Sequence, residues 1–250
     1  TNRIFNEGKY TIREAAIVAT GFSTVSVTFM VVIANTLDLM SFWNLYFWIS
    51  FIVTFTVTAI TVRIWPLNKM SEEYHNGEGF PEQIVRKDRI KTAWIEAMFT
   101  ANNTPSLLKN IWVNLKDGFH MTMNILPTIM SVGLLGLVLA TYTPVFDILG
   151  YIFYPLTWAL QVPEPLLTAK AAAISISEIF LPALLVAEAQ LITKFIVAVL
   201  SISSILFFSA IIPCILATDV PISVPKLVVI WFQRVILTLI IITPIAFVLF

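Results

Sequence analysis

Four stretches of this chain carry no charged residue over lengths that a water-facing protein does not need: residues 15–37, 42–62, 121–146 and 195–218. A fifth, 227–250, is interrupted by Arg234 alone. The hydrocarbon core of a bilayer takes about 20 consecutive apolar residues per helical span, so each run is long enough to cross. Composition agrees. The chain is 58% hydrophobic and 12% charged, where soluble domains carry roughly 25% charged residues. A transmembrane β-barrel would show segments of about 10 residues alternating in polarity. Here both alternate positions are apolar, as in Ile240-Ile241-Ile242. The sequence therefore predicts an all-α polytopic membrane protein with about five full spans and a lipid bilayer as its first partner.

Lys plus Arg equals Asp plus Glu at 15 each, which argues against a nucleic-acid partner. The single cysteine, Cys214, lies in an apolar run and leaves no intramolecular disulfide or thiolate metal cluster. The chain opens on a polar stretch without a signal-peptide pattern, as expected of the later part of a longer polypeptide.

Three regions are expected. Residues 1–62 read as an N-terminal membrane hairpin, with Trp43, Tyr46 and Trp48 at headgroup level. Residues 63–120 are a polar and amphipathic region. Basic residues cluster there and in 1–14, which predicts that both lie on the cytoplasmic side of the membrane. Within it, 86–99 has helical spacing, with Ile90, Ala93, Trp94 and Ala97 on one face. That face suits either the membrane interface or a solvated helix. Residues 121–250 are a helical membrane domain. Its first part is punctuated by Pro127, Pro144, Pro155, Pro163, Pro165 and Pro182 and by Asp147, Glu164, Lys170, Glu178 and Glu188. The pieces between these marks suit half-helices or re-entrant hairpins. A helix break is expected at 175–182, inside a segment that enters the membrane without crossing it. The two closing runs look like ordinary spans, with Lys194, Asp219 and Arg234 as interfacial anchors.

No P-loop, dinucleotide fingerprint or HExxH motif is present. His75 and His120 lie in or beside the polar region, as solvated histidines do. No enzyme is expected and no cofactor. Two polar stretches inside apolar sequence stand out. One is Thr20, Ser23, Thr24, Ser26 and Thr28 beside Gly21; the other is Ser175, Ser177 and Glu178 before Pro182. An ionisable group at the bilayer centre costs about 2.5 kcal/mol or more, so Glu178 needs a partner or a cavity. The hydroxyls could equally bond back to their own helix or let helices pack. Lys170 is eight residues before Glu178, about 12 Å along one straight helix, too far for a direct pair. The sequence thus points to one shared substrate or ion site built from Thr20, Ser23, Thr24, Ser26, Ser175, Ser177 and Glu178. Oxygen ligands of this kind suit Na⁺ or H⁺ as a coupling ion.

Ala19-Thr20-Gly21-Phe22-Ser23-Thr24-Val25-Ser26-Val27 and Ser175-Ile176-Ser177-Glu178-Ile179-Phe180-Leu181-Pro182-Ala183 resemble the YjiH family. That family belongs to the membrane proteins carrying the nucleoside-recognition, or Gate, domain. The resemblance implies a transporter-like protein moving a small polar, nucleoside-like solute through a mid-membrane site. Spore maturation proteins share the domain, so a rival expectation is a non-transporting membrane scaffold or assembly partner. Homo-oligomerisation fits either.

Overall fold

The computed structural model describes residues 2–21, 27–75, 77, 79, 88–104 and 106–250; within 121–140 the side chains at 121, 124, 125, 128, 129, 132, 133, 136, 137 and 140 are outside that description. The described residues form α1 Asn2–Asn6, α2 Ile12–Gly21, α3 Val27–Thr36, α4 Trp43–Thr61, α5 Arg89–Asn103, α6 Leu107–Tyr142, α7 Val145–Ala159, α8 Pro165–Ile174, α9 Leu181–Leu185, α10 Leu191–Ser204, α11 Ile211–Leu216 and α12 Val224–Leu249. An isolated bridge between Thr11 and Tyr74 is the extent of β pairing among them.

Among the described residues two helical segments, Met40–Thr61 and Val224–Leu249, are long and apolar enough to cross a membrane. They correspond to the runs 42–62 and 227–250. α2 and α3 lie in the run 15–37, whose residues 22–26 are outside the description, and 121–146 is the second half of α6 with the turn into α7. The run 195–218, which reads as one ordinary span, is divided into α10, an irregular stretch with a turn, and α11.

The core is a three-helix arrangement. At one end the rings of Phe42 and Phe250 lie 5.0 Å apart; toward the other, Arg234 bonds Thr58. α4 and α12 therefore run antiparallel. α10 runs parallel to α4: the Phe195 ring lies 6.4 Å from Tyr46 and 5.2 Å from Phe250, and Ser203 meets Arg234. Every α10 residue from Phe195 to Ser204 is buried.

α4 shows how the sequence places its faces. Its buried stripe, Tyr46, Ser50, Val53, Val57 and Thr61, follows the three-to-four-residue spacing of one helix face. Its exposed face carries Trp48, Phe51, Ile52 and Phe55. Hydroxyls point inward and large apolar rings outward, the reverse of a helix on a water-facing domain.

The N-terminal segment folds against the stretch after α4. Ile12 donates its N–H to Glu73 O and Arg13 to Ser71 O, Arg13 pairs with Glu72 at 2.8 Å, and Asn2 and Asn6 reach Asp219. The N-terminal segment, residues 71–75 and the turn before α12 thus share one end of the molecule. At the opposite end Lys194 lies 3.9 Å from Asp38.

α7 and α8 form an antiparallel hairpin. A Cβ on Gly150 would lie 3.2 Å from the Lys170 Cα, so glycine permits the close approach. Asp147 and Lys170 pair across it at 2.7 Å. α5 has no buried residue; Trp94 and Ile90 are exposed on it, in line with a surface helix. α6, at 36 residues and about 1.5 Å per residue, stands largely outside the core and exposes Trp112, Phe119, Met130 and Leu134.

Candidate functional site

Two helices stop inside the bundle, and their broken ends meet. The first belongs to an excursion that leaves and returns at one place. The Glu164 carboxylate, at the start of α8, accepts the N–H of Gln190, at the start of α10, at 3.0 Å. Between them α8 runs inward to Ile174, the helix ends, α9 follows, and the chain comes back to Gln190. The expected break at 175–182 is where α8 ends and α9 begins. The second interruption follows Ser204. Ile205 adopts φ +57°, an uncommon conformation for a β-branched residue, and the chain passes through an irregular stretch and a turn at 208–210 to α11.

The two interruptions hold each other. The N–H of Phe208 donates to Ile176 O at 2.7 Å, and that of Ser209 to Ser177 O at 3.0 Å. Backbone groups freed from a helix in an apolar interior must find partners. Here each broken segment supplies them to the other.

One face of α12 lies against this junction. Trp231, Arg234 and Thr238 are spaced by three and four residues and therefore share that face. The Trp231 indole N–H donates to Ser175 Oγ at 3.1 Å. Arg234 Nε donates to Ser203 O at 2.8 Å and Nη1 to Thr58 Oγ1 at 3.0 Å. Thr238 Oγ1 donates to Ser203 Oγ at 2.8 Å. Arg234 is 0% exposed and sits ten residues into its helix, about 15 Å from its first residue. It is not the interfacial anchor that its place near the start of an apolar run suggests. Its Nη2 has no hydrogen-bond partner.

The residues expected from sequence divide. Ser175 belongs to the junction: it donates to Ala172 O at 2.7 Å and accepts from Trp231. Ser177 is buried there, with its Oγ unpartnered. Glu178 serves its own turn, its carboxylate accepting the N–H groups of Phe180 at 2.6 Å and Leu181 at 3.1 Å and so capping α9. Thr20 bonds back to Ala16 O at 2.8 Å, as a packing hydroxyl does. No hydrogen bond between described residues joins it to Glu178. Ser23, Thr24 and Ser26 lie outside the described residues. The described residues Gly21 and Phe29, on either side of positions 22–26, nevertheless approach elements of the junction. Gly21 O lies 3.3 Å from Thr58 Oγ1, the hydroxyl that receives Arg234, and the Phe29 ring lies 6.3 Å from that of Phe180. Lys170 pairs with Asp147, not Glu178.

Sequence reasoning missed Arg234, Thr58, Ser203, Trp231 and Thr238. One signal was present: Ser201-Ile202-Ser203 repeats the hydroxyl–apolar–hydroxyl step of Ser175-Ile176-Ser177. Both steps sit at the end of an interrupted helix. A groove of about 770 Å³, lined by apolar side chains that include Leu139, Phe146, Phe153 and Phe232, reaches Ser177 and Trp231 at the junction. Among the described residues no cluster of three or more His, Cys, Asp or Glu could hold a metal ion.

Comparison with known proteins finds similarity along the whole chain. It is 33% identical over 260 aligned positions to an uncharacterized protein of Alkalihalophilus pseudofirmus, covering 100% of this chain and 55% of that protein. The chain thus spans about half the length of the relative it matches. No family model matches the chain, and no solved structure matches it.

Proposed function

We propose that this chain belongs to a polytopic α-helical membrane transporter that moves a small polar solute through a site where two interrupted helices meet. The observation that carries the reading is the paired junction of 176–177 with 208–209 inside the bundle, faced by Trp231, Arg234 and Thr238. Discontinuous helices whose ends meet at a polar site are a recurring device of secondary transporters. Irregular backbone is tolerated at membrane depth where it is buried in protein or lines a cavity. The outward apolar face of α4 and the inward hydroxyls support a lipid-facing exterior.

In this reading the 164–190 excursion is re-entrant. The end of the molecule that holds the N-terminal segment and 71–75 faces the cytoplasm, as the basic residues of both regions favour. A nucleoside-like solute is the first candidate, from the resemblance to Gate-domain proteins. Na⁺ or H⁺ at Glu178 is the candidate coupling ion.

The test is uptake into proteoliposomes together with thermal stability of the purified protein, titrated with nucleosides, amino acids and cations. A ligand present at 100 times its Kd and bound to the native state alone adds about 2.7 kcal/mol of stability. Saturable uptake dependent on the junction supports the reading. Failure of every solute to enter or to stabilise contradicts it.

One observation favours a second reading, a scaffold or assembly partner. α6 exposes Leu108, Ile111, Trp112, Leu115 and Phe119 in the same half that carries Lys109, Lys116 and Asp117. Apolar area among charges is a mark of protein contact surfaces. Cross-linking of α6 to a second copy or to another protein in native membranes, without any uptake, would select it.

A further inference from the structure

We propose that Arg234 is the anchor of an oxyanion site, and that the solute presents a carboxylate or phosphate to it. The inference rests on the transport reading for its use, though the binding itself does not require transport.

Arg234 is wholly buried on the face of α12 that meets both interrupted helices. A guanidinium has five N–H donors and is not deprotonated in proteins. Its bonds occupy Nε and one hydrogen of Nη1. The second Nη1 hydrogen and both Nη2 hydrogens remain, and among the described residues the buried Nη2 has no hydrogen-bond partner. Neighbouring free N–H groups of a guanidinium grip a carboxylate or phosphate through parallel bonds. Among the described residues no carboxylate pairs with the guanidinium: their ion pairs join Glu7, Glu72, Asp147 and Asp38 to other cations.

A helix-capping role accounts for part of the arrangement. Ser203 O is at the C-terminal end of α10, where a cation is favourable. Capping uses Nε and leaves Nη2 over. A buried charge with unused donors is costly unless something joins it. The neutral Ser203 carbonyl and Thr58 hydroxyl fix its orientation without neutralising it. An incoming oxyanion supplies the missing charge.

The experiment measures the melting temperature of the purified full chain in detergent, titrated with inorganic phosphate, acetate and uridine at constant ionic strength held with chloride. Phosphate or acetate should stabilise saturably, and which of the two does so identifies the group. Arg234→Lys keeps the charge and removes the fork. It should weaken that response by roughly tenfold or more, the worth of a charge-assisted hydrogen bond. A purely capping Arg234 would lower the basal melting temperature in the variant and show no saturable response to either anion. If Arg234→Lys does not fold, Thr58→Val, which removes the hydroxyl that orients Nη1, should weaken the anion response several-fold. Stabilisation by uridine alone overturns the oxyanion site while leaving the transport reading intact. No response to either anion also overturns the site, and uptake in proteoliposomes then judges the transport reading separately.

Discussion

The two interruptions differ in what holds them. The break after α8 is closed by its own sequence: Glu178, two and three residues upstream, takes the N–H groups of Phe180 and Leu181. The break after α10 is closed from a distance. Ser203 O is capped by Arg234, 31 residues later, and the turn that follows donates to Ile176 and Ser177. The first is a local motif that would form in many contexts. The second exists because three other elements are in place. Damage to the local break should stay local, and damage to the distant one should reach the core.

The largest effect is therefore expected from Arg234→Leu. It leaves Ser203 O without a partner and Thr58 Oγ1 without its donor, each worth about 1–3 kcal/mol. Removing a buried charge offsets part of this, so the net loss should be about 2–4 kcal/mol, read as a lower melting temperature in detergent. An unchanged melting temperature would show that the α10 terminus does not depend on α12.

Ser209→Pro comes next. It deletes the N–H given to Ser177 O while leaving that of Phe208, and should cost about 1–3 kcal/mol. It should also raise protease sensitivity in 175–181. Loss of stability without that local change would separate the two breaks.

Glu178→Gln should cost about 1 kcal/mol, the scale of a lost helix cap, with normal insertion and purification. If Glu178 also holds the coupling ion, cation-dependent uptake disappears in the same variant. A loss as large as that of Arg234→Leu would erase the contrast between a local and a distant closure.

The smallest effect is at the end that neither break touches. Hydrogen bonds from Asn6 and then Asn2 hold the Asp219 carboxyl below the usual aspartate range. A carboxyl so depressed stabilises fully above about pH 4, its unfolded value, and the contribution fades as pH falls through the folded value. Amide exchange in α1 should quicken below that pH while exchange in α10 does not change.

The difference between the breaks also decides how much of the molecule is legible in sequence. The first break is written there: Ser175, Ser177, Glu178 and Pro182 interrupt an apolar stretch, and the helix ends among them. The second is not. The run 195–218 has no charge, and its proline, Pro213, lies beyond the break. What ends α10 is tertiary, and tertiary partners leave no local mark. Arg234 was misplaced for a related reason. The apolar run begins at Leu227, which puts the arginine near its start, but the helix begins at Val224 and buries it. Charge predicted that 1–14 and the basic region share one side of the membrane; contacts between 12–13 and 71–73 put those two segments side by side. A site joining Glu178 to the 20–28 hydroxyls rested on composition alone. The described contacts give Thr20 and Glu178 a local partner each, while Ser23, Thr24 and Ser26 lie outside the described residues.

The central claim is that the two broken helices meet inside the bundle. The most direct measurement places cysteines at Ser177 and Ser209 in a Cys214→Ser background and treats native membranes with a short bifunctional thiol reagent. The account predicts efficient intramolecular cross-linking of that pair, because their backbones are hydrogen-bonded, and none for a control pair at Ser177 and Thr218. No cross-link between 177 and 209, with residues 195–218 labelling as one continuous span, would contradict it.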